Sequence, residues 1–506
     1  MSVREWLEER KSMGIKLGLD NCQTILERLG NPHMEFPSIH VAGSNGKGSL
    51  CVNLSAAFSQ CGVKTGLFTS PHLVTVEERV RINGRPISPD RFDGLLRVIR
   101  EAAIEAPSCS ATYYEVTFLV AMLAFSEEGV ERAIIETGMG GRLDSTSLVD
   151  ADMCVLTTVS LEHTEYLGDT LSEIAAEKVA IYRPGRPFYA FMGQEEEVEE
   201  VIEKEVDPND LNWLSLDDSL PSERGYDLVS LSDPPGPSVR PRFRRRIRKE
   251  DGTEEVEHYY VKRDHPIYHS VLHNPEVEDW PFVSDYEDVH DGWSINMYIA
   301  THLCERTGLT FPGYQLLSEP CIWPGRTPSY GKNWIAGVNT RLSAAHNSES
   351  FEYYFSHNFD PNGMYETESR LPQFAEITAK TLTDNRTVVL MGMTEKADLE
   401  ATLDPLLSRV RKERWCSSIV LTEPQTGRNA QVPLEELSEI LDRMGASHIP
   451  RHQERNPAKA FELAGKIARE EGHQLLVIGS VYLIGDLLKH VVERDGLNLW
   501  DELTVH

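Results

Sequence analysis

The chain has 506 residues, 50 Lys and Arg against 80 Asp and Glu, a formal net charge of −30 and 40% hydrophobic residues. Such a length exceeds what one hydrophobic core usually serves, so two or three domains are expected, and so acidic a surface repels a phosphate backbone, which argues against nucleic-acid binding. No stretch approaches the roughly 18 uninterrupted apolar residues of a membrane span, and the charged start MSVREWLEERKSMG lacks an apolar export core; a cytoplasmic protein without a membrane partner is expected.

In chain order, residues 36–190 alternate short β-rich runs with amphipathic helical stretches, the pattern of a parallel α/β sheet. SIHVAG, KTGLFTS, ERAIIETG and DMCVLTTVS read as strands that each run into Gly, Ser or charged residues, and ligands of open parallel sheets bind at those carboxyl ends. From about 205 to 290 the character changes to Pro, Asp, Ser and Tyr with little periodicity, as in an irregular insertion. Within it the basic run RPRFRRRIRKEDG, 240–252, predicts a solvated hairpin turning at Asp251-Gly252, with a polyanion-binding patch as the sharper alternative. WSINMYIATHLCERTG predicts a helix, and the Pro/Gly-rich FPGYQLLSEPCIWPGRTPSYG, 311–331, a hinge. Beyond it RTVVLMG, SSIVLTE and QLLVIGS read as strands, and LEELSEILDRMG and PAKAFELAGKIAREEG as helices. The cysteines at 22, 51, 61, 109, 154, 304, 321 and 416 show no metal-site spacing and read as reduced thiols.

The first strand leads into IHVAGSNGKGSL, 39–50. A strict phosphate-loop pattern wants glycine where Val41 stands, yet Gly43, Gly46 and Gly48 still lie between an apolar strand and a helix, so backbone N–H groups and the helix N-terminus can point at an anion. Lys47 would reach phosphates and Ser49 a magnesium ion; a plain glycine turn from strand to helix is the alternative. Metal ligands should then stand at neighbouring strand ends, since magnesium takes oxygen ligands and keeps waters. Glu136 in IIETGMGGRLD, and Glu162 and His163 in TTVSLEHTEYLG, occupy such ends. Lys178 falls on the side of Ile174 and Ile181 in LSEIAAEKVAIY, away from the charged face. It either snorkels to water or is buried with a depressed pKa, nucleophilic toward CO₂ and able to become a carbamate.

Together these segments, with IKLGLDNCQTILERLGNP, FTSPHLVTVEERVRING, PGR, AAHNSES, GMTEKAD and LLVIGSVYLIGD, resemble the folylpolyglutamate synthase/dihydrofolate synthase family of the Mur ligase superfamily over nearly the whole chain apart from about 205–285. The resemblance implies an α/β fold: a P-loop-type central domain with a parallel sheet, 1–310 with an irregular insertion at about 205–285, a hinge at 311–331, and a C-terminal Rossmann-like domain, 332–506. It implies an ATP-dependent amide ligase that joins L-glutamate to a pterin/folate-type carboxylic acid through an acyl phosphate, acting as a monomer on small molecules alone. Such chemistry is mostly positioning and charge neutralisation at the transferring phosphoryl group.

By this resemblance Gly43, Asn45, Gly46, Lys47, Gly48 and Ser49 form the ATP phosphate loop. Ser70 and Glu136, with Ser49 nearby, hold one magnesium; His163 holds a second, and Lys178 is the lysine that is carbamylated. Arg326 reaches the phosphates from the second domain, His346 and Asn347 stand near the nucleotide and acyl phosphate, and Arg79 and Tyr114 are candidates for pterin contact. The family's DGAHNP reads SAAHNS, so Ser343 stands where an aspartate meets the ribose; a hydroxyl forms a bond roughly half as strong as a charge-assisted one. HQxxN reads GWSIN, keeping Asn296, while Ser147 replaces Asn and Glu162 replaces Asp. The changes concentrate on nucleotide contacts. They fit an active ligase with altered nucleotide handling or a non-folate acid, or else a homologue that binds nucleotide or pterin in a regulatory or assembly role; retention of Lys47, Glu136, His163, Lys178 and Arg326 favours the ligase, and the second α/β domain disfavours a stand-alone ATPase or GTPase switch.

Overall fold

A computed structural model describes residues 1–14, 16, 18–191, 194–215, 229–230, 242–248, 254–260, 292–309, 321–331, 334–345, 351, 386–396, 398–412, 415–427 and 430–505. Its strands are β1 Ser38–Ala42, β2 Thr65–Phe68, β3 Val80–Ile82, β4 Arg85–Pro86, β5 Arg132–Glu136, β6 Met153–Leu156, β7 Phe188–Phe191, β8 Leu211–Ser215, β9 Val229–Ser230, β10 Arg242–Arg248, β11 Glu254–Tyr260, β12 Thr340–Leu342, β13 Thr387–Met391, β14 Cys416–Leu421, β15 Arg451–Gln453 and β16 Gln474–Ile478.

The described strands of the first sheet run in the order β4-β3-β2-β5-β1-β6-β7-β8-β9. From β2 to β9 all neighbours are parallel, while β3 and β4 add an antiparallel edge. Every residue of β1, β2 and β6 is buried, as expected where helices cover both faces of a parallel sheet and strands become continuous apolar runs. His40 is tolerated in the middle of β1 because the Oγ1 atoms of Thr137 and Thr146 both lie 2.9 Å from its Nε2, and burial lowers its pKa to about 3, so the ring is neutral. The helix Tyr113–Glu128 starts with a Thr112/Glu115 capping box and stops at Gly129, φ +61°. It is apolar nearly all round and buried from Glu115 to Phe125, between the sheet and the helices Val3–Glu9, Asp20–Arg28 and Pro89–Ile104. The opposite sheet face is covered by Lys47–Gln60, against which Gly292–Arg306 packs.

The second described sheet is parallel throughout, in the order β12-β16-β13-β14-β15. Its two faces carry separate apolar clusters, one around Leu407, Leu437 and Met391, the other around Phe461, Leu487 and Val477. β10 and β11 pair antiparallel from Arg242↔Tyr260 to Arg248↔Glu254; this is the expected hairpin, with its Asp251-Gly252 turn outside the described residues. The start of the expected insertion needs correction. The helix Glu196–Glu205 is followed by β8, which adds to β7, so 211–215 belongs to the sheet; five residues between two turn-rich stretches are too few to show a period. The cysteines form no disulfide, and among the described residues no helix is long and apolar enough to cross a membrane.

Phe118 is fully buried with its ring edge-on to Phe68 at 5.8 Å. Phe118→Ala is expected to destabilise the first sheet unit by about 3–5 kcal/mol, seen as a lower urea midpoint with an unchanged slope.

Candidate active site

The carboxyl ends of β1, β2, β5 and β6 converge on the loop 43–46. Gly43 has φ +143°, and a methyl group there would overlap Thr157 Oγ1; glycine is required because β6 closes directly on the loop. Thr157 Oγ1 donates to the Asn45 carbonyl at 2.7 Å, the Ser44 N–H to the Thr158 carbonyl at 2.6 Å, and the Ser160 N–H to Ser44 Oγ at 2.9 Å. Gly46, φ +83°, caps the helix Lys47–Gln60, so the positive end of that helix faces the loop. Lys47 Nζ folds back to donate to the carbonyls of Gly43 at 2.6 Å and Ser44 at 2.9 Å. A methyl group at Gly48 would lie 2.6 Å from the Trp323 ring and 3.2 Å from Glu136 Oε1, which places a carboxylate and the Trp323 indole against the first turn of the helix carrying Ser49.

Lys178 is 1% exposed, so it is buried rather than snorkelling. Its Nζ donates to the Gly43 carbonyl at 3.0 Å and to Glu162 Oε1 at 2.6 Å. Burial pulls its pKa down to about 8 although Glu162 pushes the other way. Burial would raise the Glu162 carboxyl, but Lys178 and Lys47 outweigh it and hold the group at about 2. The helix Leu171–Val179 is set by a Thr170/Glu173 capping box and gripped by the second glycine turn: the Arg142 N–H donates to the Glu177 carbonyl at 2.9 Å, and a methyl group at Gly141 would lie 2.7 Å from that oxygen. His163, exposed, with φ +48°, caps the short helix Thr164–Leu167.

Glu136 Oε2 accepts the Ser70 N–H at 2.8 Å. Burial raises its pKa, opposed by Lys47, by the Ser70 amide and then by Arg326 and Arg79. Arg326 comes from the turn 323–327, where its own N–H and that of Thr327 both bond to the Trp323 carbonyl at 3.0 Å, and its guanidinium lies 5.1 Å from the Trp323 ring centre. Burial lowers the Arg326 pKa, with Glu136 the leading opposing charge. Arg79 donates to His72 Nδ1 at 3.0 Å and lies 5.4 Å from the Tyr113 ring centre. Tyr114 donates to Asp144 Oδ1 at 3.1 Å.

Asp144, which the motif reading passed over, organises this corner. It accepts from the N–H groups of Gly138, Met139 and Thr146 and from the hydroxyls of Thr146 and Tyr114. Its place at the end of GGRLD was the available signal. Thr157 and Trp323 were likewise missed, for neither residue type announces a glycine-packing role. Asn296 and Ser343 are buried; Ser343 Oγ accepts the Ala345 N–H at 3.3 Å. His346 and Asn347 lie outside the described residues. Among the described residues no three His, Cys, Asp or Glu side chains gather as a ready metal site. A groove lined by Met34, Pro37, Asp152, Arg186 and Pro187 sits at the amino ends of β1, β6 and β7, the far end of the sheet from this cluster.

Residues 41–216 match the Mur ligase middle domain family. Over that stretch, about a third of the chain, it is similar to Mur ligase middle domains. Relatives that it matches include the dihydrofolate synthase/folylpolyglutamate synthase of Bacillus subtilis (strain 168), 35% identical over 221 residues covering 43% of this chain and 51% of the relative. The dihydrofolate synthetase of Saccharomyces cerevisiae is 39% identical over 187 residues, 36% of this chain and 44% of the relative. The matched stretch thus spans about half the length of these curated relatives. The fold extends over the whole: the structure of Escherichia coli FolC in complex with DHPP and ADP superposes with a TM-score of 0.66 at 22% identity, covering 98% of this chain and 99% of that one. The folylpolyglutamate synthase/dihydrofolate synthase of Yersinia pestis complexed with AMPPNP and Mn ion gives 0.63 at 21% identity, covering 98% of each chain.

The Glu162–Lys178 pair has a pH signature. The Glu162 carboxyl falls from its ordinary 4.5 to about 2 on folding, so its stabilisation is complete above pH 4.5 and is lost as pH drops toward 2. Lys178 falls from 10.5 to about 8, so the unfolded chain holds the extra proton between those values and stability from this group rises with pH there. Glu162→Gln should flatten the acid limb of unfolding free energy against pH by about one proton, and Lys178→Met should remove the alkaline rise.

Proposed function

We propose that the protein is an ATP-dependent amide ligase that joins L-glutamate to a pterin/folate-type carboxylic acid. The observation that supports this most is Lys178 buried against the same loop carbonyl that Lys47 holds, with Glu136 at the first turn of the loop's helix. In this reading the acid's carboxylate attacks the γ-phosphate of ATP, giving ADP and an acyl phosphate. The amine of glutamate then attacks the acyl carbon, and phosphate leaves as the amide forms. No protein nucleophile is needed; the chain's task is to align the reactants and neutralise the phosphoryl oxygens. The loop amides of 43–49 and Lys47 serve the phosphates. Arg326 serves them from the hinge at 311–331, where the two domains divide, and closure there sheds water from the acyl phosphate. This reading assigns Asn296 and Ser343 to the nucleotide, His346 to the acyl phosphate, and Arg79 and Tyr114 to the acid.

Glu136 fits a magnesium ligand: it is a buried carboxylate supported by one amide at one oxygen, with its other oxygen facing Gly48 at the first turn of the loop's helix, and magnesium takes oxygen ligands with water making up the rest. Ser49, Ser70 and Glu136 would hold one ion and His163 a second, supplying positive charge at the transferring phosphoryl group. Lys178 fits carbamylation. With a pKa of about 8, about one-tenth of its amine is neutral at pH 7. Bond formation between that nitrogen and CO₂ releases one proton, and the new carboxylate would join the ligands of the second ion.

Incubated with magnesium, ATP and glutamate, the protein should release phosphate only when a pterin acid such as dihydropteroate or a reduced folate is added. Acid-independent hydrolysis or silence with every pterin acid overturns the folate reading, and turnover with a different acid leaves the ligase reading standing. Lys178→Ala should lose ligation by about 100-fold or more, a magnitude typical of lost electrostatic catalysis, with partial recovery in a short carboxylate such as acetate.

A further inference from the structure

Three residues beyond Ser70, within FTSPHLVTVEERVRING, the chain makes a knob. Glu78, 3% exposed, accepts the N–H groups of three consecutive residues, Leu73 at 3.1 Å, Val74 at 2.6 Å and Thr75 at 2.7 Å. Arg81, 1% exposed, balances that carboxylate at 3.6 Å and also donates to the Glu78 carbonyl and to Thr69 Oγ1. A buried carboxylate bonded to three amides and a guanidinium has one arrangement, so the backbone at 73–75 is rigid.

What this clamp presents is Leu73, 5% exposed and packed among Val481, Leu483, Ile484 and Leu487 of the second sheet's cluster. Two glycines form its socket. A methyl group at Gly485 would overlap the Leu73 carbonyl oxygen, and one at Gly325 would lie 2.5 Å from Leu73 Cδ2 and 3.0 Å from Ile484 Cγ2. Gly485 sits inside the helix Val481–Asp495, where glycine is unfavourable relative to alanine, so close backbone approach is the reason to have it there. Gly325 immediately precedes Arg326, and Leu73 follows Ser70 by three residues.

We infer that Leu73 and its Gly325/Gly485 socket are positioning residues that set the Arg326 turn in register with the Ser70–Glu136 side of the site. A helix that cannot seat on Leu73 carries the second sheet away, and displacement of about 1 Å between reacting groups costs up to roughly a hundredfold in rate. The phosphate loop and Lys47 lie in the first sheet unit, while Ser343 and Arg326 lie on the socket's side, so a lost socket should lower kcat more than it raises KM for ATP. The kinetic consequence rests on the ligase reading; the structural one does not.

The test compares the full-length chain with Gly485→Ala and Leu73→Ala by kinetics, thermal unfolding and hydrogen exchange. Alanine is the better helix former at 485 but its methyl group meets the Leu73 carbonyl, so Gly485→Ala should melt only a few degrees lower while kcat for acid-dependent phosphate release falls about ten- to a hundredfold and KM for ATP rises by only a few-fold. Exchange should rise together in peptides covering 70–75 and 323–331, with the helix 47–60 unchanged, and Leu73→Ala should repeat the pattern if Gly485→Ala does not fold. Folded variants with unaltered kcat and unaltered exchange overturn the inference. Exchange rising throughout the chain, or KM for ATP rising in step with lost kcat, also overturns it, since a merely structural contact behaves so. An unmodified protein without ligase activity would sink the functional reading alone, and the exchange comparison would still decide the socket.

Discussion

The carbonyl oxygen of Gly43 accepts two lysine ammonium groups, Lys47 at 2.6 Å and Lys178 at 3.0 Å. Nearly everything else in the site depends on that convergence. Two cations brought this close repel one another unless carbonyl and carboxylate oxygens intervene, and Gly43, Ser44 and Glu162 supply those oxygens. The arrangement is possible only because Gly43 lacks a side chain and Thr157 can close on the loop from β6. The loop is thus held in shape by its neighbours.

Around this centre, each further strand end contributes one chemical function and one steric fit. β5 brings Glu136 up to Gly48, and the turn after it grips the helix of Lys178 through Gly141. Asp144 ties that turn to Tyr114, making both parts of one hydrogen-bonded corner. Trp323 joins the turn 323–327 to the loop's helix: its ring meets Gly48 and the Arg326 guanidinium. Glycines recur because backbone must approach backbone or ring at several places within a few residues.

Much of this was legible beforehand. Four of the strands in the first unit and three in the second were marked by apolar runs ending in Gly, Ser or charge, and those appear where expected. Lys178 stood out because a charge on the apolar side of a nine-residue helix breaks the period that its neighbours keep. Less legible was Glu162 as the partner of Lys178. The two are sixteen positions apart, and the extra methylene that distinguishes Glu from Asp acquires meaning only from where the helix stops. β8 was hidden inside an apparently irregular stretch, and Asp144, Thr157 and Trp323 have roles set by who packs against them.

The sequence by itself determined many of the strands and helices, that glycines turn the chain from β1 into a helix, and that a lysine sits on a buried helical face. Those properties follow from periodicity, glycine placement and charge along a single stretch of chain, where the interacting groups are covalent neighbours. Tertiary structure decided that two lysines share one carbonyl, that Glu136 faces Gly48, and that Leu73 seats between Gly325 and Gly485. These are contacts between residues tens to hundreds of positions apart. Their geometry is set by how strands are ordered in the sheet and how helices cross it, which no local pattern of residues records.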